Sequence, residues 1–164
     1  MAQMAQNKLL MIAGDKAKQH IAQHGLCADD IVAIPGAAGG PKGLILQGLD
    51  HFLFEEFFGP EVLAQRIQKG IAPLELIGAS IGAWRMAAAC AKKPSMALQR
   101  LADQYCEAQR YPKGVNRQQI TDVCNAMVSA LLDEAAEEMC QPTGKQLLVW
   151  VNRGKQALYT QKSK

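Results

Sequence analysis

Short unbroken apolar runs alternate along this chain with longer stretches in which apolar residues return every three or four positions. Runs of four or five apolar residues bounded by turn residues mark buried strands, whereas the three-to-four spacing is the stripe of an amphipathic helix. Ile31-Val32-Ala33-Ile34, closed by Pro35-Gly36, predicts a first buried strand followed by a glycine loop. Leu74-Glu75-Leu76-Ile77 predicts a second, and Leu147-Leu148-Val149-Trp150-Val151 a third. Before the first strand, Leu9, Ile12 and Ile21 among polar residues predict a helix over residues 5–24, which Gly25 ends. Apolar positions 45, 46, 49, 52, 53 and 57 predict a helix stopped by Gly59-Pro60. A shorter one runs from Pro60 to Gly70, with proline inside its start and glycine past its end. The alanine-rich stretch 81–91 is helix-prone, and Lys92-Lys93 complement its dipole. Two more helices are expected over 95–110 and 117–140, the latter opened by Asn116 with Gln119 three residues on.

Strands that alternate with helices imply parallel pairing. The expected class is therefore α/β, a mostly parallel sheet flanked by helices, in a single domain over residues 1–164. Three strands make a thin sheet for so many helices, so the domain is expected to be incomplete at its C-terminus, the front part of a larger one. An unpaired sheet edge would then favour self-association.

Composition narrows the function. At 164 residues and 49% apolar content, the chain can build a real core. The net charge of +3 comes from 18 basic and 15 acidic residues that are interleaved, and aromatics are only 5%. A nucleic-acid partner would want a basic stripe or an aromatic platform, and neither stands out. No apolar run approaches the length of a membrane span, and LLMIAG near the N-terminus is too short for a signal segment, so a cytoplasmic protein is expected. Cysteines 27, 90, 106, 124 and 140 form no CxxC pair. Such an odd, scattered set suits buried thiols better than disulfides or zinc, and neither a metal nor a cofactor is implied.

Two glycine-bearing loops each follow a strand and open a helix, which places both at the carboxyl ends of parallel strands, where α/β folds bind ligands. Gly78-Ala79-Ser80-Ile81-Gly82 matches the G-x-S-x-G nucleophile elbow in its strand-turn-helix setting. There the serine oxygen stands above a helix N-terminus, whose positive end favours a developing oxyanion. The other loop, GAAGGPKG over residues 36–43, fails as a phosphate loop. Measured from Gly36, Pro41 stands where the second glycine belongs and Gly43 where the metal-binding hydroxyl belongs. A dinucleotide fingerprint fails at Ala38. What remains is a nest of backbone N–H groups suited to an anion. His20, His24 and His51 all precede Ser80, against the order of a hydrolase triad.

Together the loops resemble those of the patatin-like phospholipases, over roughly residues 31–92. Gly39-Gly40-Pro41-Lys42-Gly43 matches that family's oxyanion segment, G-G-x-[RK]-G, and GASIG matches its nucleophile motif. The resemblance implies that Ser80 attacks an acyl ester and that the backbone amides of Gly39 and Gly40 hold the oxyanion. It also implies that Lys42 and Gly43 complete the loop, and that Gly78 and Gly82 make the elbow. Pro41 has no N–H to give. The implied substrate is a lipid or phospholipid acyl ester, any membrane contact would be peripheral, and the helices over 95–140 would cover the site. The family's partner for the serine is an aspartate in D-G-[GA], and no such motif occurs in this chain. Asp103, Asp122 and Asp133 follow Ser80 but fall in predicted helices, where solvent-facing roles explain them. Two rivals therefore stand beside the hydrolase: a non-catalytic remnant of that fold that binds lipid or protein, and a nucleotide-binding α/β domain.

Overall fold

The computed structural model describes residues 10–108, 110–132 and 143–151. Helix α1 is Asp15–His24 and strand β1 is Ala33–Gly36. A continuous helical segment follows: a 3-10 stretch over Gly40–Leu46, helix α2 over Gln47–His51 and a π stretch over Phe52–Phe57. Helix α3 is Pro60–Gln68, strand β2 Leu74–Gly78, helix α4 Ile81–Cys90 and helix α5 Pro94–Ala108. Helix α6, Arg117–Leu132, and strand β3, Lys145–Val149, complete the elements. The three strands form one parallel sheet in the order β1-β2-β3, flanked by helices.

One helix dominates the packing. α4 lies against all three strands, α5 packs on α4, and α6 packs on α5. Side chains alternate faces along a strand, and Leu74, Leu76 and Gly78 of β2 are the buried set beneath α4, while Glu75 is exposed. The parallel register puts Ile34 and Gly36 of β1, and Lys145, Leu147 and Val149 of β3, on that same face. Phe54, Phe58, Leu63, Met86, Leu98 and Leu101 close the core over it.

Several expected boundaries shift, each for a physical reason. β1 begins at Ala33 rather than Ile31 and includes Pro35 and Gly36. As an edge strand it tolerates a proline, and Val32 is left exposed. Residues 10–14 are not helical, so the first helix starts at Asp15. Trp150 and Val151 lie beyond β3, and the predicted helix past 132 falls outside the described residues. The helix expected after the glycine loop starts inside it, at Gly40. Its apolar stripe also divides: Leu53 and Phe57 pack against the core beside the buried Phe54 and Phe58, whereas Ile45, Leu46, Leu49 and Phe52 are exposed. A stripe reckoned at 3.6 residues per turn does not hold its face through a tighter 3-10 turn and then a wider π turn. Of the four described cysteines only Cys90 is buried; Cys27 and Cys106 are exposed, against the expectation of core thiols.

Candidate active site

The glycine loop and the elbow meet at the carboxyl end of the sheet, and glycine is what lets them do so. In the last register pair, Gly36 of β1 faces Gly78 of β2. A Cβ on Gly82 would lie 1.9 Å from the Gly36 carbonyl oxygen, and one on Gly78 would lie 2.3 Å from Ala83 Cα. Both contacts are with backbone, which cannot swing aside, so the first turn of α4 sits directly on the strand ends only because these side chains are missing. The Ala79 N–H donates to the Gly36 carbonyl at 3.1 Å and fastens the start of the glycine loop to the elbow.

Ser80 occupies the tip of this turn with φ 52° and ψ −129°, the only positive φ outside glycine among the described residues. For an L-residue with a Cβ, that region is sterically costly and persists only where surrounding structure enforces it. Here the enforcement comes from both sides, since Gly78 is held in β2 and the Ser80 carbonyl accepts the Ala83 N–H at 2.9 Å in the first turn of α4. The outcome is an exposed serine held at a helix N-terminus. Among the described residues no side chain hydrogen-bonds to Ser80.

The neighbouring loop divides into two parts. Gly39 and Gly40 have open space where a Cβ would be, and Gly40 takes φ +58°. Gly43 instead abuts Ile81, where a Cβ on the glycine would lie 2.8 Å from Ile81 Cγ2, so it serves as a contact between loop and elbow. Lys42 is exposed and bonds to none of the described residues.

The proton acceptors weighed from the sequence lie elsewhere. His20 pairs with Asp30 at 2.9 Å and its ring lies tilted 5.0 Å from that of His24, and His51 is half-buried on α2. Asp103 accepts from Gln99 at 2.9 Å and Asp122 from Gln118 at 2.8 Å, both on exposed helix faces. Asp133 lies outside the described residues.

Sequence reasoning missed a second feature of this end of the molecule. The Arg85 guanidinium donates to both oxygens of Asp50, at 2.7 and 2.6 Å, and both residues are buried. Arg85 lies five positions after Ser80 on α4, and Asp50 lies on α2, seven positions after Gly43. The bidentate pair therefore locks the helix behind the elbow to the helix behind the glycine loop. A signal existed: each is a lone charge among apolar neighbours, LDHFLF and AWRMAAA, and opposite lone charges on apolar faces need each other. Among the described residues no cluster of three or more His, Cys, Asp or Glu side chains has a metal-binding arrangement, and no helix is long and apolar enough to cross a membrane. The chain matches no protein-family model, no curated protein and no solved structure.

Proposed function

We propose that this chain is a serine acyl-ester hydrolase of the patatin-like type, in fold as in chemistry, acting on lipid or phospholipid acyl esters. The observation that carries the reading is the backbone of Ser80, forced to φ 52° at a strand-to-helix turn with a glycine loop fastened beside it. Ordinary βα turns do not need such a conformation, and strain of this kind gathers at functional residues. In the reaction, Ser80 Oγ would attack the ester carbonyl carbon as its proton passes to a base. The amides of Gly39 and Gly40 would stabilise the oxyanion, and collapse would break the carbon–oxygen bond while the base returns the proton to the leaving oxygen, which departs as the alcohol. Water would then hydrolyse the acyl-enzyme and regenerate Ser80. A lipid substrate, and a peripheral membrane contact, are favoured over a small hydrophilic ester by Ile45, Leu49 and Phe52, exposed on the helical segment that the glycine loop opens.

Two observations favour a second reading, a non-catalytic lipid-binding remnant: no base bonds to Ser80 among the described residues, and the sequence has no D-G-[GA] motif. A fluorophosphonate probe separates the two. Labelling of the full chain that disappears in Ser80→Ala supports the hydrolase. An unlabelled chain that still binds phospholipid vesicles sinks it in favour of the remnant.

A further inference from the structure

An apolar cavity lies far from Ser80 along the strands. Ser80 follows the last register pair of β2, whereas this cavity is lined by Lys145, the first residue of β3, at the amino end of the sheet. Its volume is about 270 Å³, and its wall is built mainly from Phe54, Phe58, Leu63, Ile67 and Pro94, with Lys92 and Lys145 as the two lysines among its lining residues. The ammonium donates to the carbonyl of Ala89, in the last turn of α4, where helix carbonyls lack intrahelical partners. Among the described residues the ammonium makes no other hydrogen bond. Burial pushes the Lys145 amine below its ordinary value, while the neighbouring Cys90 thiol and Glu55 carboxylate pull it back up. Glu55 is exposed and accepts the Ser95 N–H at 2.7 Å, so its charge is shared with a helix start.

Apolar walls with cationic groups among them select an amphiphile with an anionic end. A neutral lipid would leave the Lys145 ammonium without a charged acceptor, and against walls this apolar a phosphate dianion costs more to dehydrate than a carboxylate. A volume just under the roughly 300 Å³ at which drug-sized pockets begin suits a short tail. We propose that this cavity is a binding site for a medium-chain aliphatic carboxylate, its tail between α3 and the π stretch and its head on Lys145. The site is independent of whether Ser80 is a nucleophile.

Calorimetric titration of the full chain with sodium octanoate tests it. Saturable binding is expected, weakened at least about tenfold in Lys145→Met, because a charge-assisted hydrogen bond is lost. Octan-1-ol should bind at least about tenfold more weakly than octanoate for the same reason. Should Lys145→Met fail to fold, Ala64→Trp keeps the test alive, since Ala64 is exposed at the cavity's mouth and a bulky side chain there should block entry. Ser80→Ala should bind octanoate like the parent chain. Absent binding, octanol binding as tight as octanoate, indifference to Ala64→Trp, or loss in Ser80→Ala would each overturn the proposal.

Discussion

The two ends of the same three strands are built from opposite materials. At the carboxyl end, where Ser80 sits, backbone meets backbone: Gly36, Gly78 and Gly82 are in contact that no side chain would permit. At the amino end, long cationic side chains fill the spaces between elements. Arg66 of α3, buried to 2% exposure, donates to the carbonyls of Ala28 and Ile31, the latter at 3.1 Å, and its Nε has no acceptor among the described residues. Lys145 does the same for the end of α4. A site that must hold one atom in a strained position gains from the stiffness of direct backbone contact. An end that only has to join loops of irregular shape is better served by flexible stems with charged tips.

If that contrast is right, the carboxyl end should tolerate substitution least. Gly82→Ala is expected to cost about 3 kcal/mol or more, since neither backbone can yield to the added carbon. The urea unfolding midpoint measures it, and a value near that of the parent chain would break the comparison at its root. Next in size is Arg66→Met, which keeps the apolar stem but strips donors from the three carbonyls of Ala28, Ile31 and Ala72. A loss of about 2–3 kcal/mol is expected in the same assay. If the loss is instead below about 0.5 kcal/mol, water is replacing the guanidinium and the amino end is looser than described.

Ser80→Gly sharpens the contrast in the opposite direction. Relief of about 1–3 kcal/mol of backbone strain should outweigh the roughly 0.5–1 kcal/mol lost to a freer unfolded chain. The variant should therefore be modestly more stable while losing fluorophosphonate labelling. Destabilisation would mean that the serine conformation is not strained.

The smallest effect concerns alkaline pH. Lys145 is depressed below its ordinary 10.5, so the unfolded chain binds that proton first and stability from this group rises with pH up to 10.5. Burial pushes the Cys90 thiol above its ordinary 9.0, so its contribution is present below 9.0 and is lost as pH rises through the raised folded value. The two oppose each other. Lys145→Met removes the rising contribution and leaves the falling one, so stability should decline more steeply above pH 9.0 than in the parent chain. Thermal melts across that range would detect it, and an unchanged slope would show that Lys145 is not desolvated.

Much of this was legible in the chain itself. Hydrophobic runs and spacings, with glycine and proline as stops, place all three strands and the helices between them in the right order. Two glycine loops in the setting of parallel strands bring Ser80 and Gly39-Gly40 to one end of the sheet. These features are local, and local steric and periodic rules suffice for them.

What only the tertiary structure decided involves residues distant in sequence. The Asp50–Arg85 pair spans 35 positions and Arg66 reaches back 38 to Ala28, so neither partner can be assigned from its own neighbourhood. The outward turn of Ile45, Leu49 and Phe52 depended on how one helical segment winds against its neighbours. Sequence alone named Ser80 and gave it a turn; the positive φ came from β2 and α4 being held at fixed positions on either side of it. Backbone strain is a property of that enclosure, because a free GASIG segment would relax to an ordinary conformation.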